Sequence, residues 1–498
     1  MAIEKYGQYG KNRLWEIIPG ALDWSILIGT LALALASPAA AIILVIIFDI
    51  YWFLRVLYFV IHLLSAYHHY RLGLKTNFTA ILKEQAHRDQ IYHLIMLPTF
   101  KEEILIIRES LQAIIASKYH HSKLLVVIGG EELDRESFGE IQTALSQEFG
   151  SNFLKLIFTI HPANLPGEIP GKGSNLKFMG ESMVPIINSL QIDQSKIIVS
   201  AFDVDTLIHP EYLAALTYNF LTVEKPLRSS YQPVTIFANN LWSAPAPVRI
   251  AAFGTTFWLF SEMVRPERMW SFSSHSMPWQ MLLDVGFWEP DLVSEDSRIF
   301  MQAFLHYDGD YKVTPIFLPA AMDTVVGKNW WDSLKALYLQ QRRWAWGVEH
   351  IPYMITEFKK HPKISRWDKS KYLFNHFEGM LSWACVPFII FVLGYLPFLL
   401  VHGRTGNLFV NSPYTLEWLM RGSMIGILVT GVLSFAFIPP RPKSVKGWAW
   451  VTMFFQWLLL PITSVLFGAL PALHAHTRLM FGKYLGFNVT PKKASSRD

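Results

Sequence analysis

Three short motifs follow one another in the middle of the chain, and their side chains suit one kind of chemistry. They are Asp203-Val204-Asp205, Ser294-Glu295-Asp296 and Gln340-Gln341-Arg342-Arg343-Trp344. Transfer of a sugar from a nucleoside diphosphate needs a site for the metal-bound diphosphate, a base for the acceptor hydroxyl and a side chain that binds the leaving group. The three motifs offer these groups in that order. Apolar segments flank all three, so the predicted site lies at a membrane.

The first carboxylate pair follows an apolar, strand-like run at residues 197–202. In an extended chain Val204 points away, so Asp203 and Asp205 project to the same side. Their hard oxygens suit Mg²⁺ or Mn²⁺, ions that usually bridge protein carboxylates to substrate phosphates. We therefore predict a divalent-metal site here. The alternative is a capped turn after a strand.

The second carboxylate pair, Glu295 and Asp296, stands where a loop leads into a helix. A carboxylate beside an arriving hydroxyl can act as a general base. We predict that role for Asp296, with Glu295 as the second member of the catalytic pair. The same residues also fit a helix N-terminus, with Ser294 as N-cap and two acidic residues in the first turn. Both interpretations can hold at once.

The third motif lies in a helical stretch that starts near Asn329. Gln340, Arg343 and Trp344 are spaced i, i+3 and i+4, so they share one helix face. Arg343 presents a planar cation to phosphate oxygens, and Trp344 offers a flat apolar face to a sugar ring. The alternatives are an amphipathic helix with a core tryptophan and a helix at the membrane interface.

A further motif, Lys172-Gly173-Ser174-Asn175, opens a predicted helix after Pro170-Gly171. Glycine lets the backbone approach a phosphate, and the N-terminus of a helix is electropositive. The full Walker A pattern is absent. A plain loop leading into a helix explains the segment equally well.

The elements that must position these motifs form alternating strands and helices, which predicts parallel βαβ units. We predict strands at 92–97, 124–128, 154–160 and 196–202, and helices near 102–117, 174–190 and 210–224. Ligands bind at the carboxyl edge of such a sheet. Pro98-Thr99-Phe100 and Asp203 both fall at strand ends there.

Composition places this domain in a membrane protein with a soluble part. Of 498 residues, 51% are hydrophobic and 17% are charged, with a net charge of +5 and one cysteine, Cys385. The basic excess lies near membrane ends and indicates attraction to lipid headgroups, and no nucleic-acid motif is present. A single cysteine excludes a disulfide within the chain.

Apolar segments divide the chain into three predicted regions. Residues 1–75 form an N-terminal transmembrane hairpin, 76–375 a cytoplasmic catalytic domain, and 376–498 a C-terminal transmembrane region with a basic tail. Basic flanks of the hairpin place the domain in the cytoplasm. For the tail, its basic residues favour the cytoplasm, whereas counting spans from the basic segment 439–443 puts it outside. The last apolar run, 448–474, contains two prolines and either crosses or re-enters the membrane. Residues 245–270 form a helix on the membrane face, line an acceptor groove or form a buried core helix.

Five motifs together resemble those of the membrane-embedded family 2 glycosyltransferases, which include cellulose, hyaluronan and chitin synthases and to which ceramide glucosyltransferase is similar. The motifs are Pro98-Thr99-Phe100-Lys101-Glu102, Lys172-Gly173-Ser174-Asn175, Asp203-Val204-Asp205, Glu295-Asp296 and Gln340-x-x-Arg343-Trp344. The resemblance covers about residues 90–350. It implies an α/β, Rossmann-like GT-A fold and an inverting reaction that gives a β-linked product.

The resemblance also implies a role for each residue. The nucleotide-sugar site would contain Pro98, Thr99, Glu102, Lys172 and Asp203. The metal would be held by Asp205 and Asp203. Catalysis would use Asp296 as base, beside Glu295. The acceptor and leaving-group end would be lined by Gln340, Arg343 and Trp344.

One position departs from the family pattern. Members usually carry an aspartate just after the second strand, where it contacts the nucleobase. Here Ile128 is followed by Gly129-Gly130-Glu131-Glu132, and we expect Glu131 to take that place in the nucleotide-sugar site. The Gln340-x-x-Arg343-Trp344 motif favours UDP over GDP.

The sequence therefore predicts a metal-dependent, inverting glycosyltransferase in the plasma (inner) membrane. Its partners would be a nucleotide-sugar donor, a lipid or polysaccharide acceptor, Mg²⁺ or Mn²⁺ and membrane lipids, without nucleic acid. A transporter with a nucleotide-binding cytoplasmic domain and an inactive scaffold are the alternatives. A transporter would carry paired polar residues within its membrane spans.

Overall fold

The computed structural model describes residues 13–400 and 406–486. It contains one eight-stranded mixed sheet surrounded by helices. The strands are β1 (Tyr92–Pro98), β2 (Leu124–Glu131), β3 (Lys155–His161), β4 (Ile197–Ala201), β5 (Leu207–Ile208), β6 (Ser229–Phe237), β7 (His275–Pro278) and β8 (Lys312–Met322).

Helices precede, surround and follow the sheet. Those that accompany it are α3 (Phe78–Lys83), α4 (Ile104–Ile115), α5 (Arg135–Phe149), α6 (Lys172–Ser189), α7 (Tyr212–Thr222), α8 (Ala246–Met263), α9 (Trp279–Val285), α10 (Glu295–His306), α11 (Trp330–Ala345) and α12 (His350–Lys360). The others are α1 (Arg13–Ala36), α2 (Pro38–Lys75), α13 (Arg366–Phe391), α14 (Leu396–Leu400), α15 (Asn407–Ser434), α16 (Ala449–Phe455), α17 (Leu460–Ser464) and α18 (Leu470–Met480).

The strand order is β3-β2-β1-β4-β7-β6-β8-β5. The four predicted strands correspond to β1–β4, and the predicted parallel pairing is confirmed for them. The second half of the sheet was not predicted. There β7 runs antiparallel to both β4 and β6, while β6 and β8 are parallel. The sheet is therefore mixed, and its carboxyl edge on the β1–β4 side carries the first motifs.

Strand β2 is three residues longer than predicted, because its two glycines belong to the strand and not to a turn. Gly129 and Gly130 pair with residues of β3. A Cβ at Gly129 would lie 2.4 Å from Asn175 Oδ1, and one at Gly130 would lie 2.5 Å from the Phe138 ring. Close packing against α6 and α5 explains both glycines, and it leaves Glu131 at the true strand end.

The hydrophobic core continues from the sheet into the apolar helices. One face of the sheet packs against α4, α5 and α7. The other packs against α6 and α8–α10, and that same cluster includes residues of α2, α15 and α16. Helix α8 buries Phe253, Phe257 and Phe260 in it. This burial agrees with the core-helix alternative for residues 245–270, while Trp258 on the same helix is 45% exposed.

Within residues 13–400 and 406–486, four helices or helical runs are long and apolar enough to cross a membrane: Arg13–Ala36, Pro38–Lys75, Asn407–Ser434 and Ala449–Met480. The bent pair α13 and α14, with a 42° angle, would raise that number to five. Helices α1 and α2 are separated only by Ser37 and contact each other. Both extend beyond the apolar runs that predicted them.

The helical run Ala449–Met480 contacts the catalytic helices at both ends. Near its start Gln456 Oε1 accepts a 2.7 Å hydrogen bond from Arg249 Nε of α8. Near its end His474 Nδ1 lies 2.9 Å from the Tyr338 hydroxyl of α11. Arg13 at the start of α1 donates a 2.6 Å bond to the carbonyl of Met480. The basic tail after residue 486 lies outside the described residues.

Candidate active site

The predicted site residues gather at the carboxyl edge of β1, β2 and β4. Thr99 follows β1, Glu131 ends β2, and Asp203 and Asp205 lie just after β4. Helices α6 and α10 begin at this edge with Lys172 and Glu295. Parallel strands present their carboxyl ends at one edge, which is why residues far apart in sequence meet there.

Lys172 joins the first two motifs. Its Nζ lies 2.7 Å from Asp203 Oδ1 and 2.9 Å from Asp296 Oδ1. Burial disfavours the charged amine, but the negative charges of Asp203, Asp296 and Glu295 outweigh it and hold the pKa of Lys172 well above its usual range. The lysine is therefore a permanent cation between two carboxylates that lie 93 positions apart in the chain.

The two aspartates of the first motif lie in a turn after β4, where the backbone NH of Thr206 donates a 2.9 Å bond to the Asp203 carbonyl, so the expected extended chain is not observed. Val204 between them is 1% exposed and packs in the core. Asp203 Oδ2 accepts a 2.5 Å hydrogen bond from Ser273 Oγ. Asp205 is 4% exposed, and its Oδ2 accepts a 2.9 Å bond from the backbone NH of Asp323.

This donor set fits a metal ion only if a ligand supplies further oxygens. Within residues 13–400 and 406–486, no group of three or more His, Cys, Asp or Glu side chains could hold an ion by itself. Two neighbouring carboxylates completed by substrate phosphates are the usual arrangement for Mg²⁺ in phosphate chemistry. The residues present are therefore compatible with a metal that arrives together with a diphosphate.

Asp296 and Glu295 occupy different environments at the start of α10. The Asp296 side chain is 22% exposed and faces Lys172. Glu295 lies buried, with Oε2 unpaired among the described residues. Burial and the charge of Asp296 raise the pKa of Glu295 to about 8. The raised pKa favours the protonated form of Glu295, whereas Asp296 is the more exposed of the two side chains and faces Lys172.

Ser294 occupies the N-cap position of α10 but does not cap the helix with its side chain. Its hydroxyl instead donates to Glu349 Oε1. The expected side-chain cap is therefore wrong, because a buried carboxylate from the segment after α11 competes for the hydroxyl. This contact ties the start of α10 to the end of α11.

Helix α11 brings the third motif to the same edge. The positive charge of Arg343 acts on the Glu295 carboxyl. The Trp344 ring lies 5.7 Å from the Phe237 ring, in a small apolar cluster with Met322. The next residue, Asp323, donates its backbone NH to Asp205. Asp205, Asp296 and Trp344 are thus connected around one region. Gln340 is partly buried, one turn before Trp344.

The predicted nucleotide end is built on the loop after β1 and the end of β2. Pro98 closes β1. Thr99 Oγ1 and the backbone NH of Phe100 both donate to Glu102 Oε2. Glu102 therefore shapes the loop in which Thr99 lies.

Glu131 is held by two partners that the sequence did not single out for it. Asn175 Nδ2 donates a 2.9 Å bond to Glu131 Oε1, and His161 Nδ1 lies 2.8 Å from Glu131 Oε2. The other ring nitrogen of His161 lies 2.9 Å from Glu168 Oε2. Burial disfavours the charged ring, but the hydrogen bonds and charges of both glutamates prevail and raise the pKa of His161.

Residues around β7 were also missed. Ser273 bonds Asp203, and His275 Nδ1 lies 3.9 Å from Asp296 Oδ1. Burial is the main reason that the pKa of His275 falls to about 4, so its ring is neutral. The one available signal was the polar run Ser271-Phe272-Ser273-Ser274-His275, which is unusual before a buried strand.

Comparison with known proteins assigns this region to a family. The model described as "Glycosyl transferase family group 2" matches residues 198–475, just over half of the chain. No curated protein sequence matches the chain.

The chain is also similar, at low sequence identity, to solved structures of glycosyltransferases. The mannosyltransferase PcManGT from Pyrobaculum calidifontis, in complex with GDP-Man and Mn²⁺, has 14% identity and a TM-score of 0.43, covering 82% of this chain and 99% of its own. The S. aureus TarS fragment 1–349 in complex with UDP-GlcNAc has 11% identity and a TM-score of 0.36, covering 72% of this chain and 95% of its own.

Proposed function

The chain belongs to glycosyl transferase family group 2, and from that premise we propose that it is an inverting enzyme acting at a membrane. It moves a sugar from a nucleoside diphosphate, with UDP favoured, to a hydroxyl of a lipid or growing polysaccharide and forms a β-glycosidic bond. One observation carries this proposal: Lys172 holds Asp203 and Asp296 within hydrogen-bond reach of one cation.

The donor would bind along the carboxyl edge of the sheet. Thr99 and Glu131 lie at the ends of β1 and β2, where the nucleoside would rest. The diphosphate would lie beside Asp203 and Lys172. A divalent ion, Mg²⁺ or Mn²⁺, would be held by Asp205 and Asp203 and would neutralise diphosphate charge. Lys172 would share that task, because its amine stays charged.

Asp296 would act as the base. As the acceptor oxygen attacks the anomeric carbon from the face opposite the diphosphate, Asp296 takes the hydroxyl proton. The bond between that carbon and the diphosphate oxygen breaks, and the nucleoside diphosphate leaves with the electron pair. Lys172 and Arg343 then face the added negative charge. Glu295, neutral beneath Asp296, would position the catalytic carboxylate without a second charge.

The membrane placement rests on the apolar helices and on the basic residues beside them. Arg13 begins α1, and Arg71 and Lys75 lie in the last turns of α2. Arg441 and Lys443 lie between α15 and α16. By the positive-inside rule these segments face the cytoplasm, so the catalytic domain would be cytoplasmic, at the plasma (inner) membrane. The contacts of Ala449–Met480 with α8 and α11 favour a re-entrant path over a straight crossing.

The test is a panel of nucleotide sugars given to the purified full-length chain with Mg²⁺ or Mn²⁺, with release of nucleoside diphosphate as the readout. Asp296→Asn should lower turnover by about 10²–10⁴-fold, the usual contribution of a general base. Donor binding should persist, because Lys172 and Asp203 remain.

Asp310→Asn is the matched control, since Asp310 is an exposed carboxylate paired with Lys225. It should leave turnover unchanged. Turnover of Asp296→Asn within tenfold of the wild type would refute the assigned base. If the wild type released nucleotide from no donor above a metal-free control, the enzyme proposal would fail, and a scaffold would be favoured.

A further inference from the structure

Two arginines meet where the third-motif helix packs against the last helix of the membrane region. Helix α11 contributes Tyr338 and Arg342, and α18 contributes His474 and Arg478. Each pair is spaced i and i+4, so each lies on one helix face. The Tyr338 hydroxyl lies 2.9 Å from His474 Nδ1 and fixes the two faces against each other. We call these four residues the junction cluster.

Among the described residues, no carboxylate pairs with the arginines of the junction cluster. The Arg342 side chain makes no hydrogen bond or ion pair within residues 13–400 and 406–486, and its Nε is buried without a partner there. Arg478 donates from one terminal nitrogen to the Tyr484 carbonyl, and its own Nε is likewise buried and unpaired among the described residues. Burial, and next the charge of Arg478, lower the pKa of Arg342.

The acidic residue nearest in these contacts does not relieve that imbalance. Glu16 accepts a 2.9 Å bond from the Tyr484 hydroxyl, so it is one residue removed from Arg478. It is already ion-paired with Arg13. Two adjacent cations that lack a counterion destabilise a fold. A ligand that supplied negative charge would remove this cost.

The geometry selects the kind of anion. A guanidinium presents donors in a planar fork that matches phosphate oxygens, and two guanidinium groups can bind one phosphate. The cluster lies on α11 next to Arg343 and Trp344, and α18 ends the last apolar run that could enter a membrane. This position beside an apolar helical run favours the phosphate of a lipid headgroup as the bound anion.

We propose that the junction cluster binds the phosphate ester of a membrane lipid and holds that lipid beside the acceptor end of the active site. The inference rests on the proposed function and narrows its acceptor to a phosphate-bearing lipid. The phosphate serves as an anchor only. The nucleophile remains a hydroxyl of the lipid, presented to Asp296, so the balance of the transfer step is unchanged.

The test measures equilibrium binding to the full-length chain in neutral detergent. Dihexanoyl phosphatidylglycerol is the probe, and dihexanoylglycerol and inorganic phosphate are the comparison ligands. Arg342→Gln and Arg478→Gln should each weaken probe binding by about tenfold or more, as expected for losing hydrogen bonds to a charged group. Arg342→Lys, which keeps the charge but loses the fork, should give an intermediate loss.

Arg441→Gln is the control for general attraction to a basic surface, since Arg441 is exposed between α15 and α16. It should bind the probe as the wild type does. Near-UV circular dichroism checks that each variant is folded. If Arg342→Gln does not fold, Arg342→Lys and Arg478→Gln still provide the comparison.

Equal probe binding by the wild type and both arginine variants would overturn the inference. So would binding of dihexanoylglycerol as tight as that of the probe, because the phosphate would then contribute nothing. Inorganic phosphate that bound as tightly as the probe would assign the site to a free anion and overturn the lipid assignment.

Donor turnover, measured on the same preparations, separates this inference from the proposed function. If the wild type turned over a donor but probe binding did not change in the Arg342 and Arg478 variants, only the lipid-site inference would be refuted. If the probe bound specifically but no donor was turned over, the lipid site would be supported and the proposed enzymatic function would be refuted.

Discussion

Lys172 and His161 show what single side chains contribute to this site. Lys172 brings Asp203 and Asp296 to one amine, so in the proposed function the diphosphate end and the acceptor end would be separated by this one group. His161 does the same for Glu131 and Glu168 at the other end of the sheet edge. In each case a cation holds two carboxylates that would otherwise repel each other.

The His161 bridge predicts a pH dependence for donor binding. A neutral imidazole carries one N–H and can donate to only one of the two glutamates, whereas the cation donates to both. Since the folded pKa of His161 is raised, the bridge is complete below the unfolded value, about 6.5. It is lost as pH rises through the folded pKa.

We therefore expect the KM for the donor to rise by about tenfold across that upward titration, because one charge-assisted hydrogen bond contributes about 1.5 kcal/mol. The KM should be measured from pH 6 to pH 9. The glutamine side chain of His161→Gln does not titrate, so this variant should show a KM with little pH dependence. If the KM for the donor changed equally with pH in the wild type and in His161→Gln, the role of His161 in holding Glu131 would be contradicted.

At the scale of elements, the end of β2 illustrates how packing replaces a turn. Gly129 and Gly130 suggested a strand end at Ile128, yet both continue the ladder to Glu131. They are glycines because α6 and α5 approach the strand too closely for a Cβ. The longer strand therefore places Glu131 at the end of β2, where we expected it to take the place of the aspartate in the family pattern.

Gly129→Ala should therefore damage the site through the element that supports it. The new methyl group would lie 2.4 Å from both Asn175 Oδ1 and Met179 Sδ. Asn175 would have to move, and it holds Glu131. We expect a lower melting temperature and a higher KM for the donor.

Gly139→Ala provides the matched control for Gly129→Ala. Gly139 lies within α5, and a Cβ added there would have no heavy atom within 4 Å. Alanine in a helix interior should stabilise the protein by about 0.5–1 kcal/mol. If both alanine variants raised the melting temperature, the close packing at β2 would be refuted.

At the scale of the whole molecule, the catalytic domain and the apolar helices share one core. Phe437, which follows α15, contacts the rings of Tyr67 and Tyr70 on α2 and of Phe257 and Phe260 on α8. Trp242 also donates a 2.9 Å bond to the Pro439 carbonyl. The apolar helices are thus packed into the α/β domain through a shared core.

Phe437→Ala should loosen this shared core. Phe437 is 7% exposed, and truncating a buried phenylalanine typically costs about 3–5 kcal/mol. We expect faster thermal inactivation of donor turnover in nanodiscs. Phe374→Ala is the control, because Phe374 is 69% exposed and its loss leaves no cavity. Equal inactivation rates for the two variants would show that the membrane helices do not stabilise the catalytic domain.

The sequence alone determined the family, the four parallel strands and the order of the catalytic motifs, because each depends on local patterns. Short continuous apolar runs mark β1–β4, and polar or charged residues follow at their ends. The same local patterns ended β2 too early and predicted a side-chain cap by Ser294. Both predictions failed because residues distant in sequence decide the outcome: α5 and α6 pack on the end of β2, and Glu349 accepts the Ser294 hydroxyl.

Tertiary structure alone decided which charges meet. Lys172 contacts Asp203 and Asp296, and His161 contacts Glu131 and Glu168. Strand pairing brings these residues together, and the periodicity of apolar residues along the sequence does not specify which strands pair. The surroundings of Arg342 are set in the same way by the packing of α11 on α18. Electrostatic pairing depends on distance in space, and long-range packing brings Lys172 to Asp296 across 124 positions of sequence.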